Sequence, residues 1–271
     1  MTLFISSINS GSNGNCYYVG NSNDAVLIDV GLSCREIEKR MLRAGLSMQK
    51  VRAIFISHEH IDHIRGVEVI SKKYNLPVYI NEKTYGNGRM KIKEEHINSF
   101  CDEEIIPVGT LNVIPFFKSH DAADPYSFSV ECEGIRVGIF TDIGTVCEKL
   151  TAHFSQCHAA FLEANYCEEM LENGRYPIYL KNRIRSSHGH LSNAQALELF
   201  KTHKPEFLSH LFLAHLSKEN NSPELVEKLF SEHAASTKIM VASRYEESPV
   251  YRVGNVGVEE TDLQGQFALQ I

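Results

Sequence analysis

The stretch Ser57-His58-Glu59-His60-Ile61-Asp62-His63 decides how the rest of the chain is read. Three imidazoles and the Asp62 carboxylate lie within the six residues from His58 to His63, and these are ligand types that bind divalent transition metals. A metal site is therefore the leading reading. Strand neighbours face opposite ways and helical neighbours need a spacing of three or four residues, so neither regular structure aims all four groups at one point. The heptapeptide is expected to be a turn. Ala53-Ile54-Phe55-Ile56 before it suits a buried strand, and Val67, Ile70 and Tyr74 after it recur at helical spacing. The local expectation is strand, histidine-rich turn, helix.

Composition narrows the class. At 271 residues the chain can bury a sizeable core, and nothing in it argues for a second unit, so a single domain over 1–271 is expected. With 43% hydrophobic and 23% charged residues, disorder is not indicated. A formal net charge of -7 argues against a protein whose whole surface grips nucleic acid, while leaving room for a local basic patch. Met1-Thr2-Leu3-Phe4-Ile5-Ser6-Ser7 lacks the basic region and long apolar core of a signal peptide. No apolar stretch approaches the roughly 18 residues of a membrane span. A cytoplasmic protein without a membrane partner is expected. The 7 cysteines are scattered with no C-x-x-C pair, which fits reduced, mostly buried thiols better than a disulfide framework or a zinc ribbon.

Residues 3–8, 15–20 and 25–29 read as strands separated by turn-rich segments. After Asp29-Val30-Gly31, Ser33 and Glu36 form a capping box for a helix that stops at Gly45. Beyond the histidine turn, Pro77-Val78-Tyr79-Ile80 is a short strand, and the charged residues 83–105 read as solvated loop and helix rim. Residues 111–117 form a strand that delivers Lys118-Ser119-His120-Asp121. Residues 127–133 and 135–140 form a hairpin turning at Glu133-Gly134 and ending in Thr141-Asp142-Ile143-Gly144. Here the chain repeats a unit, because an apolar strand, an aspartate, a glycine and a capped helix occur both at 26–36 and at 138–148, with Thr145 and Glu148 as the second capping box. Two β-rich halves packed face to face with helices outside would follow. Ala159-Ala160-Phe161-Leu162 is a further strand, ending at Glu163-Ala164-Asn165. Ser192 and Gln195 cap a helix just after His190, and residues 207–214 form a strand ending at His215. Ser222-Pro223 opens the final long helix, 239–242 is a closing strand, and 250–271 carries no usable motif.

The notable polar groups sit at strand ends, at Asp29, His58 to His63, His120, Asp142, His190 and His215, where side chains converge on one rim of a sandwich. A lone strand-end histidine is ordinarily structural, but an ordered set is not. His96, His153, His158, His203, His210 and His233 lack such placement and read as ordinary histidines. The order aspartate, H-x-H-x-D-H, histidine, aspartate, histidine resembles the metallo-β-lactamase fold superfamily from about residue 3 to 245. The resemblance implies an α/β fold, a four-layer αββα sandwich with a dinuclear metal site between the tops of its two sheets. Carried over by position, it implies that His58, His60 and His120 bind one divalent ion and Asp62, His63 and His215 the other, with Asp142 bridging. Asp29 would support the turn from behind. Mixed imidazole and carboxylate ligands suit Zn, with Mn and Fe also open. Two such ions, roughly 3.5 to 4 Å apart, hold a hydroxide at neutral pH, so no serine or cysteine nucleophile is needed.

Gly189-His190-Leu191-Ser192, with Leu213-Ala214-His215-Leu216-Ser217 beyond it, resembles the phosphodiesterase and nuclease branch of that superfamily. Tyr176-Pro177-Ile178-Tyr179-Leu180-Lys181-Asn182-Arg183-Ile184 and the opening Ser10-Gly11-Ser12-x-Gly14-Asn15 are similar to the bacterial YycJ/WalJ family of metal-dependent exonucleases. This implies catalytic roles for Asp62 and for His190, the latter stabilising the phosphate or protonating the leaving oxygen beside a helix N-terminus that suits an anion. One departure is plain: relatives carry Asn-His-Asp where this chain has Asn165-Tyr166-Cys167. From physics alone, Arg175, Lys181, Arg183 and Arg185 form a cationic run without an acid, a footprint for a phosphate backbone whose bland counterpart is a solvated helix. Tyr176 and Tyr179 can stack bases or simply pack. The expected function is a dinuclear metal-dependent phosphodiesterase, an exonuclease cleaving DNA or RNA. The alternatives are a thioester, lactone or β-lactam hydrolase on the same metals and, from another class, a non-enzymatic binding protein. The latter conflicts with an undiminished ligand set. Oligomeric state is not readable from sequence.

Overall fold

The computed structural model describes residues 2–254. The chain begins as an antiparallel meander of β1 (Leu3–Asn9), β2 (Cys16–Gly20) and β3 (Ala25–Ile28). It then switches to parallel addition, each crossover carrying a helix on the outer face, as parallel strands require. α1 (Cys34–Arg43) leads to β4 (Val51–Phe55), α2 (Ile61–Ile64) and α3 (Val67–Tyr74) lead to β5 (Val78–Tyr79), and α4 (Glu82–Gly88) leads to β6 (Ile97–Asn98).

The second sheet repeats this plan. β7 (Ile106–Val108), β8 (Leu111–Phe117), β9 (Tyr126–Cys132) and β10 (Ile135–Phe140) are antiparallel. Then α5 (Glu148–Phe154) leads to parallel β11 (Ala159–Glu163). α6 (Glu168–Asn173), α7 (Ile178–Ile184) and α8 (Asn193–His203) lead to β12 (His210–Ala214), and α9 (Pro223–Ser231) to β13 (Lys238–Val241). β14 (Tyr251–Val253) returns to the first sheet and pairs with β1, Leu3 opposite Val253. Each sheet has 7 strands.

The strands read as unbroken apolar runs because both of their faces are buried. In β11, Ala159 and Phe161 point into the layer between the sheets, while Ala160 and Leu162 point out to the helices. In β4, Phe55 faces inward and Ile54 outward. The inter-sheet layer is anchored by Tyr17, Phe55, Phe128, Phe161 and Phe212. Ile37, Met41 and Ile70 cover the outer face of the first sheet, and Phe154, Phe200 and Phe230 that of the second. The result is the expected four-layer αββα sandwich. No helix among the described residues is long and apolar enough to cross a membrane.

Several local expectations change. The heptapeptide is not all turn, because His60 caps a short helix whose first residues are Ile61, Asp62 and His63. His58 and His60 precede it in extended chain, where a two-residue spacing puts both on one side, while the helical turn fans Asp62 and His63 towards a neighbouring point. Thr145 caps nothing: α5 starts at Glu148 with Cys147 before it, and the Thr145 hydroxyl instead donates to Ser187 O at 3.1 Å. The final helix, Pro223–Ser231, is 9 residues against 11 for α8. Residues 251–253, passed over as motif-free, form an edge strand, and 255–271 lie outside the described residues. The Glu133-Gly134 turn holds, with φ of 47° and 79°. Two positive values mark the turn type whose twist suits a hairpin.

A Cβ on Gly31 would sit 1.6 Å from the Asp62 carbonyl oxygen, whereas one on Gly86, inside α4, meets nothing within 4 Å. Gly31→Ala is therefore expected to destabilise by at least about 2 kcal/mol, as overpacking against fixed backbone does. Gly86→Ala is expected to be neutral or to stabilise by up to about 1 kcal/mol. Urea unfolding of the two variants checks the contrast.

Candidate metal centre

Three site residues lie within two residues of the end of a strand that has a parallel neighbour, and all three adopt positive φ: Asp29 at 59°, Asp142 at 56° and His215 at 56°. Such conformations cost energy for any residue with a side chain, and cluster where the surrounding structure over-determines them. Here the turn throws each side chain back across the strand end. Asp29 accepts from Ser57 N and Ser57 Oγ, both at 2.8 Å, and lies 2.7 Å from His63 Nδ1. It thus supports the histidine turn from behind.

The same device recurs around the other rings. His58 Nδ1 is 2.9 Å from Ser57 Oγ, His120 Nδ1 is 3.0 Å from Gly189 O, and His215 Nδ1 is 2.9 Å from Glu163 Oε1. A carbonyl or carboxylate only accepts, so the δ nitrogens of His63, His120 and His215 carry protons and their ε nitrogens are the ones turned towards the centre. These converge. His58, His60 and His120 offer ring nitrogens within 4.8 Å of one another, as do the donor atoms of Asp62, His63 and His215. Asp142 lies between the two sets, Oδ2 being 3.3 Å from His63 Nε2 and Oδ1 3.8 Å from His120 Nε2. His120 Nε2, His215 Nε2 and Asp142 Oδ2 are buried without a hydrogen-bond partner among the described residues. Buried acceptors facing each other with no donor between them are what a cation satisfies. The donor set fits divalent metal ions.

Electrostatics agree. Burial opposes a charge on Asp142, yet His215, His63 and His58 together hold it well below the usual carboxylate range. Burial likewise opposes protonation of His215 and His63, but the surrounding carboxylates raise both. Burial pushes His58 well down, with His63 adding to it, and pushes His120 down to about 3. The carboxylates thus outweigh burial at His63 and His215 but not at His58 and His120.

Glu163, the last residue of β11, escaped the sequence reading. It is fully buried and uses both oxygens: Oε1 is 2.8 Å from His190 Nδ1 as well as bonded to His215, and Oε2 accepts from Ile143 N at 2.7 Å and Leu191 N at 3.1 Å. Its signal was available, as an acid closing an apolar strand just as Asp29 and Asp142 do. Asn15 was also missed; its amide nitrogen is 3.2 Å from Asp62 Oδ2 and 3.1 Å from His63 Nε2. In the divergent triplet, Asn165 donates to His215 O at 2.7 Å, Tyr166 is buried and bridged to Ser192, and Cys167 precedes α6.

The expected basic run forms α7, and it is not free of acid. Arg183 Nε donates to Asp121 Oδ2 at 2.5 Å, with Asp121 Oδ1 3.3 Å from His120 Nε2. Arg185 pairs with Glu172 at 3.2 Å, and Lys181 turns inward to the Glu172 carbonyl. Arg175 alone of the four is exposed without a partner among the described residues. Nor is the start of α8 open to an anion, because Ser192 and Gln195 cap it reciprocally.

Paired all-acceptor nests at the tops of two face-to-face sheets define a metal-dependent hydrolase. Residues 10–161 match the model of the metallo-β-lactamase superfamily. Over 237 residues the chain is 36% identical to exodeoxyribonuclease YycJ of Bacillus anthracis, covering 86% of this chain and 89% of that protein. It is 33% identical to exodeoxyribonuclease WalJ of Streptococcus pneumoniae, covering 80% and 82%. The metallo-β-lactamase fold protein YhfI of Bacillus subtilis superposes with a TM-score of 0.72 at 14% identity, covering 93% of this chain and 100% of that one. The chain belongs to the metallo-β-lactamase superfamily and, within it, to the family of YycJ and WalJ.

Glu163 is held ionised at about 2, because His190 and His215 outweigh its burial. A folded-state value depressed from 4.5 contributes stability that is present above the unfolded value and lost as pH falls from 4.5 towards 2. Glu163→Gln lacks that contribution. In metal-free protein the stability gap between wild type and variant is expected to narrow across that window, read by urea unfolding at a series of pH values; a constant gap contradicts the ionised clamp.

Proposed function

We propose that the protein hydrolyses phosphodiester bonds of DNA, with His58, His60 and His120 holding one divalent ion, Asp62, His63 and His215 the other, and Asp142 between them. Zn suits this donor set, and Mn and Fe share its chemistry. When bound, two such ions supply Lewis acidity towards the phosphate and a water nucleophile active at neutral pH. The observation that carries the reading is the Glu163 clamp on His190. It fixes Nδ1 of a ring whose side chain is 21% exposed at the edge of the ligand nests. His190 then turns its Nε2 to the leaving oxygen and delivers the proton that a poor leaving group needs. Asp62, 16% exposed and steadied by the Asn15 amide, receives the proton lost by the attacking water. Arg183, drawn to the rim by Asp121, takes a flanking phosphate of the strand, with Arg175, Arg185 and Lys181 on or beside the same helix. The two exodeoxyribonuclease relatives support DNA as the substrate.

Asp142→Ala and His60→Ala are each expected to lower metal-dependent cleavage of a labelled oligodeoxynucleotide by at least about a thousandfold, the scale of several kcal/mol of transition-state stabilisation. Chelation should do the same and added Zn or Mn should restore it. Unchanged nuclease activity in the Asp142→Ala protein would sink the proposal. Faster turnover of a thioester or cephalosporin than of a chromogenic phosphodiester would favour the other hydrolase chemistry.

A further inference from the structure

Cations flank the ligand nests on two sides, and they differ in kind. On the His120 side, Arg183 and Arg185 are matched to carboxylates. On the Asp62 side, Arg65 and Arg244 both reach the loop of residues 11–14, and both meet neutral atoms. Arg65 Nη1 donates to Asn13 O at 3.1 Å and Arg244 Nη2 to Ser12 Oγ at 3.0 Å, with no ion pair for either among the described residues. Asn13 returns a bond to Arg244 O at 2.8 Å. Gly11, at φ 139°, leaves room for this, since a Cβ there would lie 3.0 Å from Arg244 Nη2.

This loop is tied to the metal centre at both ends. Ser10 Oγ accepts from His215 N at 2.8 Å, and Asn15 touches Asp62 and His63. Next to Arg244, the Tyr245 ring is 71% exposed, while its carbonyl is pinned by Arg40 Nη2 at 2.9 Å. Ile61, 62% exposed, stands on the turn that carries Asp62. In a protein with a net charge of -7, two guanidinium groups without an ion pair among the described residues thus meet over a glycine-containing loop, beside an exposed aromatic residue. Positive charge that follows a backbone, joined to an aromatic face for an unstacked base, is how single strands are gripped. A duplex keeps its bases stacked and offers Tyr245 no ring.

We propose that Arg65, Arg244 and Tyr245 form a subsite for a single polynucleotide strand, two phosphates on the arginines and one base on the tyrosine, across the metal centre from α7. This rests on the phosphodiesterase reading. The strand would enter the cleft held at two rims, with the Asp62 side supplying the larger part of its salt-dependent affinity.

The test is binding of a short fluorescent phosphorothioate oligodeoxynucleotide, and its RNA counterpart, to the metal-loaded protein, read by anisotropy over a range of salt. Arg65→Ala/Arg244→Ala is expected to weaken binding at least about tenfold and to flatten the slope of log K against log salt by about 1.4, at about 0.7 per phosphate contact in a single strand. Tyr245→Ala is expected to weaken binding about fivefold or more and Tyr245→Phe to preserve it. Lys238→Ala/Arg252→Ala removes the same charge near the opposite ends of β12 and β1, at positions paired with His210 and Phe4, and is expected to keep the wild-type slope. An unchanged slope in the Arg65/Arg244 variant, or an equal loss in the Lys238/Arg252 control, overturns the subsite. Duplex DNA that loses as much affinity on Tyr245→Ala as the single strand does overturns the stacking role. Failure of the phosphodiesterase reading would appear elsewhere, as a wild-type protein that hydrolyses no diester.

Discussion

Four of the five histidines that face the metal nests are fixed through the nitrogen they turn away from them. Ser57 Oγ stands behind His58, Asp29 behind His63, Gly189 O behind His120 and Glu163 behind His215. The rest of the molecule serves that constraint. Two carboxylates and a carbonyl impose a proton on the outer nitrogen, and so turn the inner nitrogen of each ring towards the buried centre around Asp142. Rigid supports are needed to hold such an arrangement, and the supports come from the ends of buried strands in both sheets. The inter-sheet layer of Tyr17, Phe55, Phe128, Phe161 and Phe212 keeps those ends in register.

The two halves of the chain reach this arrangement by the same local plan with different outcomes. β3 and β10 are each followed within two residues by a left-handed aspartate, and two residues later by a glycine that allows a close approach, Gly31 to the Asp62 carbonyl and Gly144 to that of Ser187. In each half the glycine admits the segment that carries functional groups. Yet Asp29 lies behind the ligands while Asp142 lies among them. The next strand of the first half ends near the histidine turn, and that of the second half ends in Glu163. One half supplies most of the ligands and the other the clamp.

Much of this was legible in the sequence, for physical reasons that can be named. The apolar runs at 25–28, 53–56 and 159–162 suit buried strands, and H-x-H-x-D-H has few uses other than metal. The sandwich, the strand ends and the grouping of His58, His60 and His120 against Asp62, His63 and His215 therefore agree with what the structure brings together. What failed was information that spacing does not carry. Thr145 satisfies a capping pattern, yet its hydroxyl has a better partner in Ser187, distant in sequence. The run from Arg175 to Arg185 looks unneutralised because its acids, Asp121 and Glu172, lie outside it. The strand at 251–253 is too short to announce itself, and only its pairing with β1 defines it.

Glu163 has no oxygen to spare. With His190 and His215 on one atom and the amides of Ile143 and Leu191 on the other, a single carboxylate fixes a ring at the metal nest and a ring at its edge. Their contributions are consequently not separable. Moving either ring redistributes the charge felt by the other, so double substitutions at His190 and His215 will not add as independent sites do. A substitution that retunes the edge histidine therefore disturbs the nest beside it as well.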